Sequence, residues 1–349
     1  MTFERIGVVG LGIMGAGIVE VFAKAGLQVI GVAESDAAVE QGMKNLATSL
    51  GRAVSREKLT QAQADEISER VTWGTDFDLF ADCDLVVEAA PEIITLKQQI
   101  FSELDHVVKP EGILASNTSS LSVAAIAKST HRPEQVVGMH FFNPAPVQKF
   151  VEVISTEHSH PDIVVAVTEL ARSIGKTPAT VGDKPGFIVN KLLLTYLNHA
   201  VRLLDDGIAS RETIDAAMRE EAKFPMGPLE LLDLIGLDTS VEVLHTIYAD
   251  TQDPLDSPAA SLIALIADGH KGRKTGAGFY DYADKHEAPV SSDQQLKLQV
   301  HNTLMSAYLK TAREMHDSGY ASKADIDLGM KLGCGLPEGP FETMEHFVA

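Results

Sequence analysis

A glycine-rich turn near the start of the chain, Ile6-Gly-Val-Val-Gly10-Leu-Gly-Ile-Met-Gly15, decides the fold of the first half. The apolar run that opens it, Ile6 to Val9, predicts a short buried strand, and residues 16–25 after the turn predict a helix. Gly26 ends that helix, and residues 28–33 predict a second strand. This strand–turn–helix–strand order is typical of the unit from which doubly wound parallel sheets are built.

The spacing of Gly10, Gly12 and Gly15 suits the pyrophosphate of a dinucleotide. The first glycine permits a tight turn, the second lets the backbone approach the phosphates, and the third lets helix and strand pack closely. The phosphates would lie at the helix N-terminus, where unpaired N–H groups point outward. We therefore expect Gly10, Gly12, Ile13, Met14 and Gly15 to bind a dinucleotide; the alternative is a glycine-rich turn without a ligand.

An acidic residue, Glu34, follows the second predicted strand and lies 22 residues after Gly12. A carboxylate at this position can accept hydrogen bonds from ribose hydroxyls and repels a 2′-phosphate. No lysine or arginine lies between Lys24 and Lys44, so no cation from this stretch can bind such a phosphate. These features favour NAD over NADP as the cofactor; the alternative for Glu34 is a solvated surface residue.

Composition and charge narrow the class of protein. The 349 residues suffice for about two domains, and 29 basic against 49 acidic side chains leave a formal charge of −20. Nucleic-acid and membrane binding are disfavoured, because both require a basic surface. Two cysteines, Cys83 and Cys334, are too few for a disulfide framework and form no C-x-x-C, so we expect a cytoplasmic protein without a metal site. We expect neither a membrane span nor a signal peptide, although the run from Ile6 to Val19 carries no charge.

The pattern along the chain changes near Asp183. Before it, short apolar runs alternate with helical stretches, whereas the periodic segments beyond it are helical. Strands are predicted at 6–9, 28–33, 85–87, 113–115, 136–139 and 150–154, and later helices at 187–206, 210–221, 228–234 and 240–249. We predict a first domain over residues 1–184, which includes a helical arm at 41–70, and a helical domain over 185–282.

The helical half contains an internal duplication. Residues 192–237 align without a gap onto 304–349, and 15 of the 46 aligned positions are identical. The identical pairs include Tyr196 with Tyr308 and Asp215 with Asp327. We predict a partial second copy of the helical domain over residues 297–349, joined by a polar linker over residues 283–292.

Three stretches carry further polar residues: Ser116-Asn-Thr-Ser-Ser-Leu121, Gly138-Met-His-Phe-Phe-Asn-Pro144 and Gly186-Phe-Ile-Val-Asn190. Because of these stretches, the chain resembles the 3-hydroxyacyl-CoA dehydrogenases, and the resemblance runs from Arg5 to about Tyr282. Four other stretches match the same family: Glu88-Ala-Ala-Pro-Glu92, Phe150-Val-Glu-Val-Ile154, Pro225-Met-Gly-Pro228 and Gly272-Arg-Lys-Thr-Gly-Ala-Gly-Phe-Tyr280. The resemblance implies an α/β Rossmann-type domain with a doubly wound sheet and an all-α C-terminal domain, which here carries the partial internal duplication. It also implies reversible NAD-dependent oxidation of (S)-3-hydroxyacyl-CoA to 3-oxoacyl-CoA, a reaction of fatty-acid β-oxidation.

His140 and Glu152 are the residues best suited to the chemistry. Oxidation of a secondary alcohol requires a base for the hydroxyl proton, and an imidazole at the end of a predicted strand of an α/β sheet can serve. Glu152 lies among apolar residues of the next predicted strand, where a carboxylate needs a partner. Pairing of the two would fix the tautomer and stabilise the imidazolium. The alternatives are a structural histidine and a solvated carboxylate at a sheet edge.

The resemblance assigns roles to other residues. Ser119 and Asn190 would act with His140 and Glu152 by hydrogen bonding the substrate oxygen, although their residue types alone suggest a helix cap and a helix surface. Four residues would line the surroundings of the nicotinamide ribose, with Ser119 beside them: Glu92, Lys97, Asn143 and Lys274. Coenzyme A would bind the helical arm, where residues 41–58 carry a net charge of +3, at Ser49, Arg52 and Arg56. The alternative for the arm is a merely solvated helix face.

The chain departs from the family at several positions. The family's usual acid at the end of the second strand is Ala33 here, with Glu34 one residue later, and its usual Asn-Arg is Asn190-Lys191. His199, Gln148 and Phe150 also replace commoner residues, which suggests a different substrate pocket. The rival functions are a dehydrogenase of a free 3-hydroxy acid, such as a sugar acid or a carnitine-like substrate, and a non-catalytic nucleotide-binding protein. Whichever of these functions the protein has, we expect it to be a homodimer or a pseudo-dimeric monomer.

Overall fold

The computed structural model describes residues 1–283 and 290–347. The chain divides into two compact units, Met1–Asp183 and Lys184–Ala349. The linker predicted over residues 283–292 lies largely outside the described residues.

One eight-stranded sheet forms the centre of the first unit. Its strands are β1 (Arg5–Val9), β2 (Gln28–Val32), β3 (Val71–Gly74), β4 (Leu85–Glu88), β5 (Ile113–Ser116), β6 (Val136–Phe141), β7 (Phe150–Ser155) and β8 (Thr177–Gly182). They lie in the order β3-β2-β1-β4-β5-β6-β7-β8, and neighbours are parallel except for the antiparallel pair of β6 and β7. The strand order reverses between β1 and β4, which is where open α/β sheets bind ligands. This confirms the predicted doubly wound sheet.

Helices flank this sheet and bury its apolar strands. They are α1 (Ile13–Lys24), α2 (Asp36–Ser55), α3 (Gln61–Glu69), α4 (Ile94–Val107), α5 (Val123–Ala127) and α6 (Pro161–Ser173). Every residue of β4, β5 and β6 is buried, as expected for strands covered on both faces. Because these strands hold the sheet rigidly, side chains at their carboxyl ends keep fixed positions.

The two edge strands, β3 and β8, were not predicted from the sequence. The residues of β3 are only partly buried or exposed, so no apolar run marks the strand. Strand β8 begins Thr177-Pro178, and proline is unfavourable inside a sheet because it lacks an N–H donor. At an edge this loss is tolerated, since one side of the strand has no neighbour.

The second unit is helical in the part of the chain that the structure describes. Its helices are α7 (Val189–Asp205), α8 (Arg211–Glu220), α9 (Pro228–Ile235), α10 (Leu237–Thr251), α11 (Ala260–Ala267), α12 (Gln294–Asp317), α13 (Lys323–Cys334) and α14 (Pro340–Met344). The four helices predicted from periodicity correspond to α7 to α10. Among the described residues, no helix combines the length and apolarity needed to cross a membrane.

The structure repeats itself where the sequence does. Helices α12, α13 and α14 follow the same order as α7, α8 and α9, and Ser210 and Ser322 cap the equivalent helices α8 and α13. The equivalent tyrosines Tyr196 and Tyr308 pack edge to face, with ring centroids 6.0 Å apart. Contact between equivalent residues is typical of a twofold arrangement of two copies.

An aspartate fixes the start of a helix in each copy. Asp215 is fully buried and accepts hydrogen bonds from the backbone N–H groups of Leu229 and Glu230, at 2.8 and 3.1 Å. The hydroxyl of Tyr280 also donates to it, at 2.8 Å. Burial raises the pKa of Asp215 to about 6, against the opposing effect of these donors. The part of the stability that is linked to this raised pKa is fully present below about pH 4 and is lost as the pH rises through about 6. The three hydrogen bonds to Asp215 remain above that pH, because a carboxylate accepts them as well.

The equivalent residue, Asp327, provides a matched comparison. It is only partly buried and accepts from the backbone N–H of Phe341 at 2.7 Å. We expect Asp215→Ala to lower the free energy of unfolding by about 3 kcal/mol, because three donors lose their acceptor, and Asp327→Ala by about 1 kcal/mol. Urea unfolding at pH 7 measures both values. Equal losses at the two positions would contradict this account of Asp215.

Candidate active site

The glycine turn between β1 and α1 has a closed inner side and an open outer side. Gly10 has a φ of +85°, and a Cβ there would lie 2.8 Å from the carbonyl oxygen of Ala89. A Cβ on Gly15 would lie 1.7 Å from the carbonyl oxygen of Gly10, a separation that no side chain tolerates. At Gly12, the N-cap of α1, a Cβ would meet nothing within 4 Å. This open space at a helix N-terminus fits a dinucleotide pyrophosphate.

A cleft of about 1120 Å³ lies at the carboxyl ends of β1 and β2. Val9 and Gly10 line it at the end of β1, and Ala33 and Glu34 line it just after β2. Ala33 is buried and Glu34 is exposed, so the carboxylate at this end of the cleft belongs to Glu34. The cleft therefore has the position and the carboxylate that a bound ribose requires. Of the two side chains within the turn, Ile13 is 73% exposed and Met14 is partly buried.

Two acidic residues of this cleft, Asp76 and Asp78, were missed by the sequence analysis. They follow the edge strand β3, which no apolar run revealed. The signal that could have found them is their position after a third strand, because the carboxyl ends of parallel strands meet at one edge of a sheet.

His140 and Glu152 lie directly opposite each other on the antiparallel strands β6 and β7. The imidazole Nδ1 is 2.7 Å from Glu152 Oε2, and both side chains are buried, at 6% and 0% exposed. With the carboxylate ionised, Nδ1–H donates to it and Nε2 becomes the basic nitrogen. On the other side, Nε2 lies 3.2 Å from Ser119 Oγ. The strand pairing thus aims one ring nitrogen at a fixed carboxylate and the other at a hydroxyl.

The backbone around His140 is also held in place. The N–H of Phe141 donates to Asn117 Oδ1 at 2.8 Å, which ties the end of β6 to the segment after β5. The ring of Phe142 packs against the imidazole with centroids 4.6 Å apart, and the fully buried Phe150 packs against Phe142. Phe150 therefore belongs to the packing behind the histidine.

Glu92 gathers the serine-rich segment that contains Ser119. Its Oε1 accepts from the hydroxyl of Thr118 at 2.6 Å and from the N–H groups of Ser119 and Ser120 at 2.9 and 3.1 Å. Burial alone raises the pKa of this carboxyl, but the Lys97 ammonium and these donors outweigh it, so the pKa of Glu92 lies below its ordinary value. Glu92 is thus an ionised group that shapes the loop beside His140.

Lys97 occupies an interior position. Its side chain is 1% exposed, and its ammonium lies 2.7 Å from Glu88 Oε1 and 3.5 Å from Glu92 Oε2. Asn143, at the end of the His140 motif, is exposed. The structure therefore brings four of the predicted site residues of the first unit close together: His140, Glu152, Ser119 and Glu92. Lys97 joins them through its contact with Glu92.

The remaining predicted residues lie elsewhere in the two units. On α2 of the first unit, Ser49 is partly buried, whereas Arg52 and the C-cap Arg56 are exposed one turn apart. In the second unit, Asn190 lies in the first turn of α7, and Lys274 Nζ donates to Asp238 at 2.5 Å. Among the described residues, no group of histidine, cysteine and acidic side chains could hold a metal ion.

A dinucleotide-type turn at the switch point of a doubly wound sheet, with a histidine–carboxylate pair in the same unit, defines a nucleotide-dependent dehydrogenase. The chain matches the family model of the 3-hydroxyacyl-CoA dehydrogenase NAD-binding domain over residues 5–184. It matches the model of the C-terminal domain of the same family over residues 186–282 and again over 300–348. The chain belongs to the 3-hydroxyacyl-CoA dehydrogenase family.

Individual relatives agree with this assignment. The chain is 41% identical over 278 residues to 3-hydroxybutyryl-CoA dehydrogenase of Clostridioides difficile, covering 80% of this chain and 99% of that protein. It is also 41% identical over 291 residues to 3-hydroxyadipyl-CoA dehydrogenase of Escherichia coli K12, covering 83% of this chain and 61% of that protein. The crystal structure of 3-hydroxybutyryl-CoA dehydrogenase from E. coli K12 superposes with a TM-score of 0.92 at 30% identity, covering 99% of this chain and 92% of that one.

These matches confirm the predicted family, fold class and cofactor. The chain is an NAD-dependent dehydrogenase of 3-hydroxyacyl-CoA thioesters. NAD, when bound, supplies the hydride acceptor, and the glycine turn with its open helix N-terminus fits that cofactor.

Proposed function

We propose that His140 is the general base that removes the 3-hydroxyl proton of an (S)-3-hydroxyacyl-CoA thioester while hydride leaves C3. The observation that supports this most strongly is the 2.7 Å contact between Nδ1 of His140 and the buried Glu152. It orients Nε2 as the proton acceptor, and the ionised carboxylate stabilises the imidazolium that forms. In the reverse direction the same imidazolium returns the proton to the C3 oxygen.

Ser119 and Asn190 are proposed to hold that oxygen. Both offer uncharged donors, which suit an atom that gains negative character during reduction of the ketone. Ser119 is supported by its place 3.2 Å from the basic nitrogen of His140, and Asn190 by the family motif alone. Glu92, Lys97, Asn143 and Lys274 are assigned to the surroundings of the nicotinamide ribose on the same family basis.

Coenzyme A is proposed to bind along α2. Arg52 and Arg56 are exposed at the C-terminal end of this helix, and Ser49 lies one turn before Arg52. Their positive charge in a chain of net charge −20 supports binding of a phosphorylated ligand. Relatives named for 3-hydroxybutyryl-CoA and 3-hydroxyadipyl-CoA suggest a short acyl group with or without a terminal carboxylate.

The reaction itself is tested with (S)-3-hydroxybutyryl-CoA and NAD. We expect NADH to accumulate with the (S) thioester and not with the (R) thioester, as measured by absorbance. Failure to form NADH from any of a series of short-chain (S)-3-hydroxyacyl-CoA thioesters, with and without a terminal carboxylate, would contradict the proposal.

We propose that the second copy takes the place of a partner subunit. In this family the helical domain commonly pairs with its twin from another chain. Here, α12 buries Val300, Leu304 and Tyr308, and the contact of Tyr308 with Tyr196 has the symmetry of such a dimer. The protein would then be a pseudo-dimeric monomer.

Deletion of residues 297–349 tests this proposal. The truncated chain exposes the apolar surface that α12 covers, so we expect its mass in solution, measured by light scattering, to rise above that of a monomer. The full chain is the control and is expected to be monomeric. A full chain and a truncated chain that share the same oligomeric state would contradict the proposal.

We also propose that the protein acts in the cytoplasm. The chain has only two cysteines, and Cys83 is buried, a cysteine usage that agrees with a reducing compartment. Activity confined to the cytosolic fraction of the source cells is the expected result. Activity in a membrane or an oxidising compartment would contradict it.

A further inference from the structure

Glu88, at the end of β4, is a buried charged residue to which the mechanism above assigns no role. Its side chain is 0% exposed, and both carboxylate oxygens are engaged. Oε1 accepts from Lys97 Nζ at 2.7 Å and from the N–H of Ala90 at 2.6 Å, and Oε2 accepts from Ser116 Oγ at 2.7 Å. A carboxylate with this many donors is fixed in one geometry.

Lys97 links Glu88 to the surface of the site. Its ammonium donates to Glu88, to the carbonyl oxygen of Ala90 at 3.1 Å, and lies 3.5 Å from Glu92 Oε2. Because the Lys97 side chain is only 1% exposed, it has little surface for a ligand and acts mainly through these neighbours. Glu92, whose side chain is 37% exposed, is the member of this chain of contacts that faces outward.

The segment that Glu88 and Lys97 hold borders the cofactor cleft. Ala90 is bonded through its N–H to Glu88 and through its carbonyl to Lys97, and with Pro91 it lines the cleft of about 1120 Å³. The neighbouring carbonyl of Ala89 lies 2.8 Å from where a Cβ of Gly10 would be, so this segment packs directly on the glycine turn. Movement of residues 89–92 would therefore shift the lining that Ala90 and Pro91 form and also the glycine turn that packs against them.

Stability alone is a weak reason for a buried ion pair. Removing two charges from water is expensive, and apolar residues of similar volume often serve stability equally well. Unlike an apolar pair, Glu88 and Lys97 form hydrogen bonds with the N–H and the carbonyl of Ala90, and the Lys97 ammonium holds the ionised Glu92 nearby.

We propose that Glu88 is a positioning residue that sets the affinity for NAD without touching it, acting through Lys97 on the segment from Ala90 to Glu92. This inference rests on the proposed function, because that function places Glu92 and Lys97 beside the nicotinamide ribose.

The test is a double-mutant cycle read by NADH binding. Glu88→Gln preserves size and shape but removes the charge, and we expect the Kd for NADH, measured by fluorescence, to rise about tenfold. The KM for acetoacetyl-CoA is expected to change less than twofold. In a Lys97→Met background, Glu88→Gln is expected to cause no further loss, because its effect passes through the ammonium.

Asp256→Asn is the matched control. Asp256 is a buried carboxylate of the second unit, bonded to Lys191 and Thr195 at 2.6 Å each, and it does not line the cofactor cleft. We expect this variant to lose stability and to keep its NADH affinity. If Glu88→Gln does not fold, Ser116→Ala removes one of its donors, keeps the ion pair, and is expected to raise the Kd about threefold.

Two results would overturn the inference: an NADH Kd within twofold of the wild type in Glu88→Gln, or a full tenfold loss on adding Glu88→Gln to Lys97→Met. The proposed function fails by a different result. That function fails if the wild-type chain forms no NADH from any short-chain (S)-3-hydroxyacyl-CoA thioester, whatever the Glu88 and Lys97 variants do to the Kd for NADH.

Discussion

Replacing His140 by glutamine lowers kcat for 3-hydroxyacyl-CoA oxidation by about 10²–10⁴-fold, because the proton acceptor is lost from the reacting oxygen. NADH affinity is expected to remain within about threefold, since the glycine turn and the cleft beside it do not include the imidazole. Stopped-flow turnover together with fluorescence titration of NADH separates the two effects.

The matched control for this variant is His160→Gln. His160 caps α6, and its side chain is exposed, so its replacement is expected to leave kcat unchanged. Turnover of His140→Gln near that of the wild type would exclude His140 as the base.

Replacing Glu152 by glutamine is expected to lower kcat by about 10²–10³-fold. A glutamine can present an amide N–H to Nδ1, which would move the ring proton to Nε2 and remove the basic site. It also leaves the imidazolium, whose side chain is only 6% exposed to water, without a negative partner. Steady-state kinetics in the oxidation direction measure the loss.

The double variant His140→Gln/Glu152→Gln tests whether Glu152 acts through His140. Because Glu152 acts through the imidazole, the double variant is expected to be no slower than His140→Gln alone. Losses that multiply would show that Glu152 acts independently of His140. Glu157→Gln is the control. It changes an exposed carboxylate two residues beyond β7 and is expected to leave kcat unchanged.

The sheet centre could be predicted from the sequence because its strands are buried on both faces. Strands β4 and β6 begin with apolar runs, residues 85–87 and 136–139, and the glycine turn marks the end of β1 and the start of α1. The edge strands could not be found in this way, since β3 is half-exposed and β8 contains Pro178. Asp76 was missed for the same reason, because it follows β3.

The helical half was predictable for a different reason. Periodicity marked α7 to α10, and an ungapped duplication indicated that a second copy of α7 to α9 lies further along the chain. How that copy packs could not be read from the alignment. The structure supplies it through the contact of Tyr196 with Tyr308.

Within the site, the partner of His140 could be predicted from the sequence, whereas the partners of Lys97 could not. Glu152 lies twelve residues beyond His140 on the adjacent strand, so a simple reversal of the chain brings them together. Glu88 and Ser116 are hydrogen-bonded at the ends of β4 and β5, which α4 separates in the chain. The sequence pattern does not reveal whether the side chain of Lys97 points into the protein or into solvent. Burial of the Lys97 ammonium follows from the contact that α4 makes with Glu88 at the end of β4.

The central claim is oxidation and reduction of a CoA thioester, and one comparison tests it most directly. NADH absorbance is followed at neutral pH with acetoacetyl-CoA and, in parallel, with free acetoacetate at the same concentration. We predict NADH consumption with the thioester and none with the free acid. Consumption with acetoacetate alone would contradict the account and favour a dehydrogenase of free hydroxy acids.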